Sequence, residues 1–534
     1  MTSMRATIDL KSTIITLFAL VIFCPIISLV FLSFGDSEGL WAHLLDSVLI
    51  RYIINTFILL VGVSLLSLVF GVVTAWVIAF YEFRYSKILE IIILLPIACP
   101  AYLVAYAYTD FFEYAGPVQG ALREFMGWER AQDYYFPEIR SIGGAIFVLA
   151  SVLYPYVYLL SRTAFRQLPA SFHEIALISN RNRFWSISFP LARPAIVAGL
   201  ALVCMEVVSD FGTVEFFSIE TLTLGIFNVW IGMNNITAAA QIACCSFVFI
   251  LLLLFVELTA RGKKRFNDTS RGQAIINQTP IKGKRAILAI FLCMVPVMFG
   301  FIIPISVLGA NVFKFISLKV FIVNWEVLLN SVFVSLLGAF VVTISSVIAA
   351  NAAKLSSNRT VFVAANLSAT GYAFPGTMLA IGVIAFLGAI DSLFTNMNFY
   401  LSGTIFALVF AYLVRFQAIG FGSISSGLTK IPPNLISCSR SLGKTSNQTL
   451  QLITIPLIKR SIAVGGILTF VDIMKELPMT LLLRPFDFET LATYTYQFAH
   501  SELMEEASIP ALIIIFVGLV PVIFLNNLFQ KDCH

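Results

Sequence analysis

Residues 52–80 read YIINTFILLVGVSLLSLVFGVVTAWVIAF, an apolar run without a single charged side chain. A run of this length can cross a bilayer as a helix, which needs about 20 apolar residues. Similar runs recur along the whole chain. Backbone groups in lipid must be hydrogen-bonded internally, so each run predicts a helix. The sequence does not show the short alternating segments that are typical of a membrane β-barrel.

The composition of the chain agrees with lipid as its main solvent. Of the 534 residues, 59% are hydrophobic and 12% are charged, and the mean hydropathy is +0.92. Soluble domains carry about 25% charged residues, so a soluble core of this size could not hide so much apolar surface. The net charge of +5 does not indicate nucleic-acid binding, because the Lys and Arg residues lie in short loops between apolar runs.

We therefore predict an all-α polytopic membrane protein with about 12 transmembrane helices. Their predicted ranges are 13–34, 52–80, 88–109, 141–161, 195–217, 237–258, 286–308, 327–352, 360–388, 402–422, 461–483 and 508–530. The first run lacks a small-x-small cleavage site. We expect it to be a retained helix with a cytoplasmic N-terminus, and an even number of helices also places the C-terminus in the cytoplasm.

A basic segment divides the helices into two sets. We predict a first unit at residues 1–259, a linker at 260–285 and a second unit at 286–534. Between Arg261 and Arg285 the linker carries eight basic residues and one acid, Asp268. The positive-inside rule predicts that it is cytoplasmic. A patch that binds lipid headgroups is compatible with the same location.

An internal repeat relates the two predicted units. Asn55 and Asn330 each open a helix, and Pro100 and Pro375 follow them at the same separation. Further matched pairs are Pro169 with Pro432, Pro190 with Pro456, and Gly199 with Gly465. Six helices per unit predict a parallel repeat about an axis along the membrane normal, with a path between the halves.

Two long loops, at residues 162–196 and 425–462, share one pattern. Each has a proline, a short helical stretch, a polar break and an apolar-Pro step. Pro169 and Pro432 suit a helix start, and Asn180 and Gly443 suit its left-handed C-terminal position. Two matched amphipathic helices could dock a dimeric partner. Connectors that pack only on their own bundle would show the same pattern, and physics alone leaves both readings open.

The two loops resemble the EAA loops of ABC importer permeases, of the type with two permease units fused in one chain. The matching residues are Glu174, Ala176, Asn180 and Pro190 in the first loop, and Ser437, Ser439, Gly443 and Pro456 in the second. Asn180 stands where Gly is usual, and Ser437 stands where Glu is usual. The resemblance covers nearly the whole chain from Asn55 and implies the fold of a type I importer permease.

The resemblance also implies partners and a location. The loop helices would face a separate ABC ATPase dimer on the cytoplasmic side and transmit its closure. A periplasmic or extracellular substrate-binding protein would deliver the solute, and lipid would surround the chain in the inner (plasma) membrane of a bacterial cell. No cofactor and no catalytic residue are expected, because ATP hydrolysis belongs to the partner.

Gly443-Lys444-Thr445 has the ending of a P-loop, but we do not predict a nucleotide site there. The full motif requires glycine where Cys438 stands, and it follows a strand. The neighbouring sequence is instead typical of a helical loop. Energy is therefore expected from a partner or from an ion gradient.

Four acidic residues lie in the spans that follow the loops. Glu206 and Asp210 follow Gly199 at the same separations as Asp472 and Glu476 follow Gly465. Spacing of i, i+4 predicts that each pair shares a helix face. Because a charge at the bilayer centre costs roughly 2.5–3.5 kcal/mol, a wet cation path is one interpretation. The other is that these residues are solvated near helix ends or paired with Lys475 or Arg484.

The segments 205–215 and 475–480 resemble the ferric-iron branch of the family most closely. Carboxylates are suitable ligands for a hard cation, although the sequence does not identify a metal site. Tyr102, Tyr106 and Tyr108 are further candidates for the path, but interface aromatics are the commoner explanation. Thiamine, polyamine and phosphonate permeases share the architecture and stay open as alternatives.

Two other classes of protein compete with an ABC permease. An ion-coupled secondary transporter would use the four acids as a relay, but it does not need the two loops. A membrane enzyme would need a catalytic cluster, whereas His43, His173, His500 and His534 are widely scattered. The cysteines form no C-x-x-C pattern, so neither a zinc site nor a disulfide framework is predicted.

Overall fold

The computed structural model describes residues 2–166, 168, 182–261, 278–314, 318–355, 359–393 and 400–531. In these ranges the chain is almost entirely helical. Its strands are the two-residue segments Tyr81–Glu82 and Thr279–Pro280, which pair in parallel. The predicted all-α class is confirmed. Of the predicted linker 260–285, residues 262–277 lie outside the described part.

Nine helices in the described residues are long and apolar enough to cross a membrane, or ten if one bent pair counts as a span. Shorter apolar helices lie at Thr16–Leu32, Leu222–Gly232 and Ile236–Leu252. The predicted polytopic membrane architecture is therefore confirmed.

The α-helices before the linker are Thr2–Leu32, Leu40–Ser47, Leu49–Phe80, Ser86–Ile92, Ala101–Phe112, Pro117–Met126, Ile142–Arg166, Phe189–Ser209, Gly212–Phe216, Leu222–Phe227 and Ile236–Arg261. Short 3₁₀-helices lie at Leu95–Ala98 and Ala131–Asp133, and π-helical turns at Phe184–Ser188 and Asn228–Gly232.

The α-helices after the linker are Lys284–Val297, Ile303–Lys314, Leu318–Leu355, Arg359–Ser368, Gly376–Leu393, Ile405–Thr429, Pro433–Ser441, Ser446–Thr449, Ile455–Met474, Pro478–Leu483, Leu491–His500 and Met504–Lys531. A 3₁₀-helix lies at Gly371–Ala373, and π-helical turns lie at Met298–Ile302 and Leu450–Thr454.

Two predicted spans, 88–109 and 360–388, are wrong as continuous helices. The first is broken after Ala98, with a bend of 89° between its two parts. The second is broken between Ser368 and Gly376. The breaks lie just before Pro100 and Pro375. The residue that precedes each proline is extended, with ψ of 116° at Cys99 and 138° at Phe374. Proline disfavours the helical conformation of the preceding residue, which explains both breaks.

The predicted spans 195–217 and 461–483 are also wrong in their limits. Their helices begin earlier, and they end at Ser209 and Met474. A short helix follows each end, at Gly212–Phe216 and Pro478–Leu483. Asp210 is extended, with ψ of 128°, so the chain leaves the helix where the hydrophobic pattern predicts continuation.

The same order of elements occurs before and after the linker. A long helix is followed by a span broken at proline, a second long helix, a π-helical turn and a third long helix. The three long helices pack on one another in each set: Leu49–Phe80, Ile142–Arg166 and Phe189–Ser209 in the first, and Leu318–Leu355, Ile405–Thr429 and Ile455–Met474 in the second. This order is what an internal repeat predicts.

By packing, the chain forms two compact units that each combine distant parts of the sequence. The first compact unit comprises residues 1–41, 226–244 and 317–497, and the second comprises 42–225, 245–316 and 498–534. In the first, the helix Thr2–Leu32 packs on Gly376–Leu393. In the second, Ile303–Lys314 packs on Met504–Lys531. These compact units do not coincide with the predicted sequence units 1–259 and 286–534. The sequence units describe the internal repeat and stay a prediction.

Close helix packing at Gly199 gives the first testable prediction. A Cβ atom at Gly199 would lie 2.9 Å from the Cα atom of Val157, whereas a Cβ at Gly309 would meet nothing within 4 Å. We expect Gly199→Ala to lower the free energy of unfolding by about 1–3 kcal/mol, because backbone atoms cannot move aside easily. Gly309→Ala should be neutral or stabilising, by up to about 1 kcal/mol. Thermal unfolding of the two purified variants in detergent compares them, and equal unfolding temperatures would contradict the packing argument.

Candidate functional site

The two apolar-Pro steps have the same local structure. Pro190 and Pro456 each lie in the first turn of a long helix, directly after a π-helical turn. Proline has no N–H group and interrupts the regular hydrogen-bond ladder, and a wider turn accommodates the interruption. The structure thus places these two predicted residues in matching positions. Glu174, Ala176 and Asn180 of the first loop lie outside the described residues.

The second loop forms a short helix with a defined end, which we call the elbow (residues 432–449). Its helix Pro433–Ser441 begins after the extended Pro432. Gly443 has φ of +79°, so the predicted left-handed position is confirmed. The Lys444 N–H donates to the Ser439 carbonyl at 3.2 Å, and the Gly443 N–H donates to the Arg440 carbonyl at 3.0 Å. This pair of bonds is a Schellman motif, and it satisfies the last carbonyls of the helix.

The elbow has a buried side and an exposed side. Ile436 and Ser439 are buried, and the Ser439 hydroxyl lies 2.9 Å from the Thr449 hydroxyl. The resemblance implies that Ser439 faces a partner, but the structure turns it inward, where it holds the helix against the following segment. Ser437 and Gly443 are exposed, as a contact surface requires. Leu442 is 80% exposed and Leu435 is 45% exposed, which the sequence analysis did not single out.

Hydrogen bonds fasten the helix ends on either side of the elbow, and the residues just before it, to the long helices of the first compact unit. Lys354 Nζ donates to the carbonyl of Leu428 and, at 3.1 Å, to that of Ile431. The Ser423 hydroxyl donates to the Ser461 carbonyl at 2.9 Å, which joins the helices on either side of the loop. A core containing Ile424, Leu428 and Ile458 lies beneath. The elbow therefore lies in the chain between two long helices that are hydrogen-bonded to each other, and Lys354 of a third helix binds the residues just before it.

Asp210 and Glu476 terminate helices and cap the next ones. The Asp210 carboxylate accepts hydrogen bonds from the Thr213 hydroxyl at 3.0 Å and from the Val214 N–H at 3.2 Å. Glu476 Oε1 accepts one from the Met479 N–H at 3.2 Å. A carboxylate at a helix N-terminus satisfies free N–H groups and complements the helix dipole. The predicted i, i+4 pairs on one helix face are therefore wrong, because the helices end at Ser209 and Met474.

Glu476 has a buried cation beside it, and in this it differs from Asp210, its counterpart in the repeat. Arg415 Nη1 lies 3.7 Å from Glu476 Oε1, and their side chains are 10% and 3% exposed. Gly376 leaves room for this pair, since a Cβ there would lie 2.6 Å from Arg415 Nη1. Asp210 makes no ion pair with a described residue.

The other two acids differ in their surroundings. Asp472 Oδ1 lies 2.7 Å from Lys475 Nζ, so this acid adopts the pairing that the sequence left open. Arg484, the other cation considered, pairs with Glu489 instead. Glu206 is half-buried one turn before the end of its helix.

The three tyrosines lie in the interior of the second compact unit. Tyr102, Tyr106 and Tyr108 are all buried. Tyr108 donates to the Phe299 carbonyl at 2.7 Å, and the Tyr106 ring lies 4.5 Å from that of Phe216. They therefore do not form an exposed belt at a membrane surface. In the described part of the chain, no three His, Cys, Asp or Glu side chains lie close enough to hold a metal ion.

Comparison with known proteins finds similarity to transport permeases. Residues 67–262 match the family of binding-protein-dependent transport system inner membrane components. The Fe(3+)-transport system permease protein FbpB 2 of Haemophilus influenzae is 22% identical over 484 residues, which cover 89% of each chain. The ferric transport system permease protein FbpB of Actinobacillus pleuropneumoniae is 23% identical, over 91% of this chain and 72% of its own. The 2-aminoethylphosphonate transport system permease protein PhnU of Salmonella typhi is 27% identical over 43% of this chain and 77% of its own.

The buried Arg415–Glu476 pair gives the second testable prediction. Removing one partner leaves a buried charge uncompensated, so Arg415→Met alone or Glu476→Gln alone should cost about 3–5 kcal/mol of stability. The double variant should recover most of this loss, because it leaves no buried charge. Thermal unfolding of the purified variants completes the double-mutant cycle. Losses that simply add in the double variant would show that the two groups are not coupled.

Proposed function

We propose that this chain is a membrane permease of the binding-protein-dependent transport family and the translocating subunit of an ABC importer for ferric iron. A periplasmic binding protein would deliver the iron, and a separate ATPase dimer would drive the transport cycle by hydrolysing ATP. The observation that carries the proposal is the elbow, a rigidly capped, exposed helix at residues 433–441 in a loop whose pattern occurs twice in the sequence.

The exposed surface of the elbow suits a protein partner. Leu435 and Leu442 present apolar side chains, and Arg440 and Lys444 beside them are exposed cations. Apolar anchors rimmed by charge are typical of a helix that lies in the groove of another protein. The Schellman cap at Gly443 keeps the elbow ordered before it binds, which lowers the entropic cost of docking.

The elbow also supports a mechanical role. It lies in the loop between the helices Ile405–Thr429 and Ile455–Met474, and Lys354 of the helix Leu318–Leu355 binds Ile431 just before it. Movement of an attached ATPase would thus act on the helix Ile455–Met474, which ends just before Glu476, and on the helix Ile405–Thr429, which packs on the turn Gly371–Ala373 before Pro375. By the repeat, Glu174, Ala176 and Asn180 would give the first loop the same role.

The proposed location is the bacterial inner membrane, with both loops and both termini in the cytoplasm. The basic residues of the loops at 84–87, 261–285 and 354–359 support this orientation through the positive-inside rule. The binding protein would then dock on the opposite face, where the acidic segments 110–140 and 487–506 lie.

Ferric iron is proposed as the cargo because the relatives named for ferric transport match nearly the whole chain. The relative named for 2-aminoethylphosphonate matches less than half of it. All four acids stay candidates for the path. Asp210 and Glu476 also accept hydrogen bonds from the short helices that follow them, so their role in the path is harder to isolate than that of Glu206 and Asp472. Phosphonate, thiamine and polyamine are the alternatives that the cargo experiment tests.

The exposed leucines of the elbow give the third testable prediction. The double variant Leu435→Asp, Leu442→Asp should lose co-purification of the cognate ATPase subunit by at least about tenfold, because charges replace apolar anchors in the contact. Phe125→Asp is the matched control, since Phe125 is 84% exposed on a different helix. Unchanged co-purification by the elbow variant would refute docking at this surface.

The first loop is tested separately. Glu174→Lys should abolish ATP-driven uptake while membrane insertion survives, and normal uptake would count against a docking role for Glu174.

The cargo is tested with the reconstituted complex of chain, ATPase and binding protein. ATPase activity should rise with the ferric-loaded binding protein and stay at its basal level with thiamine, a polyamine or 2-aminoethylphosphonate. Stimulation by 2-aminoethylphosphonate and not by ferric iron would identify the phosphonate as the cargo.

The path residues are tested by neutral variants. Glu206→Gln and Asp472→Asn should reduce iron uptake if these acids line the path, and full uptake by both variants would exclude them from it.

A further inference from the structure

A cavity of about 660 Å³ opens where two candidate membrane spans meet one membrane surface. The helix Leu49–Phe80 ends there, and the span Lys284–Lys314 begins there. The short pairing of Tyr81–Glu82 with Thr279–Pro280 holds the two ends together. All of these segments belong to the second compact unit. Because one span ends and the other begins at this point, a bilayer crossed by both spans would place the cavity near the lipid headgroups.

The cavity is strongly cationic. Arg84, Lys87 and Lys282 line it, and Glu82 is the one acid among its lining residues. The next cations along the chain, Lys284 and Arg285, are exposed beside it. None of these five cations makes an ion pair with another described residue. Three lining cations against one lining acid favour an anionic ligand. The helix Lys284–Val297 also starts here without a side-chain cap, so its first N–H groups add positive potential.

An exposed apolar stripe adjoins the cations. Ile88 lines the cavity itself and is exposed. On the helix Lys284–Val297, the exposed Ile287, Leu288 and Phe291 follow Lys284 on one face, at the i, i+3, i+4 and i+7 positions. A cation above an apolar stripe matches a ligand with a charged head and a hydrocarbon tail. A small water-soluble anion would contact the cations alone.

We propose that this cavity binds the phosphodiester headgroup of an anionic membrane phospholipid, with its acyl chains along Ile287, Leu288 and Phe291. Arg84, Lys87 and Lys282 supply the positive charge for the phosphate. The bound lipid would join the end of one span to the beginning of another. This site is independent of the cargo and of the ATPase, so its test and the tests of the transport function can fail separately.

The test titrates the purified full chain, in a neutral detergent, with phosphatidylglycerol or phosphatidylcholine that carry the same acyl chains. Native mass spectrometry counts the bound lipid. We expect phosphatidylglycerol to bind at least about tenfold more tightly than phosphatidylcholine. The triple variant Arg84→Gln, Lys87→Gln, Lys282→Gln should weaken phosphatidylglycerol binding about 100-fold, because each basic residue near anionic lipid contributes a similar increment. Phosphatidylcholine binding should stay unchanged.

Two further variants separate the site from general charge loss. Arg130→Gln, Lys314→Gln, Arg359→Gln removes three exposed cations that do not line the cavity and should bind as the native chain does. Arg84→Lys, Lys87→Arg, Lys282→Arg keeps the charge and should keep the binding. If the triple variant does not fold, Lys282→Gln in the exposed loop suffices, with about a fivefold weakening expected.

The outcomes that overturn the proposal are distinct. Equal binding of the two lipids would remove the role of headgroup charge. An equal loss in the control variant would show that the effect is not local. Displacement of the lipid by inorganic phosphate at equal concentration would assign the cavity to a free anion instead of a lipid.

Discussion

The structure depends on one constraint: a backbone that leaves the helical conformation among membrane spans must find hydrogen-bond partners in the protein. This chain interrupts its spans at Cys99–Pro100, at Phe374–Pro375, after Ser209 and after Met474. At the last two points the chain supplies its own acceptors. The carboxylates of Asp210 and Glu476 receive N–H groups of the short helices that follow. Asp210 and Glu476 thus stabilise the interrupted backbone, whether or not they also contribute to transport.

The interruptions and the elbow belong to the same pattern of elements. Each set of three packed long helices carries a broken span on one side of the second helix and a loop with a π-helical turn on the other. The two sets differ in electrostatics. Arg415 lies buried beside Glu476, whereas the residue equally far into the helix Ile142–Arg166 is Val152. Among the described residues, the position that matches Glu476 in the other set, Asp210, has no such cationic partner.

Much of the fold could be predicted from the sequence, because its apolar runs and the spacing of Pro100 and Pro375 are local signals. The helix breaks at these prolines could have been inferred from the restricted residue before proline. The end of the helix at Ser209 could not, since apolar residues resume at Phe211 after the polar Ser209 and Asp210, and only the capping geometry of Asp210 shows the break. The inward turn of Ser439 and the Arg415–Glu476 pair depend on tertiary contacts between distant residues. Pairing of the helix Thr2–Leu32 with Gly376–Leu393 also leaves no trace in local pattern.

We propose that a separate ATPase subunit drives transport by this chain and acts through its two loops. The most direct measurement is uptake of binding-protein-delivered ferric iron into proteoliposomes that contain the full chain with or without its ATPase subunit, under ATP and under imposed proton or sodium gradients. Uptake should require the ATPase and internal ATP, and ion gradients alone should drive none. Full-rate uptake by the chain alone under a proton or sodium gradient would identify an ion-coupled transporter and contradict the account.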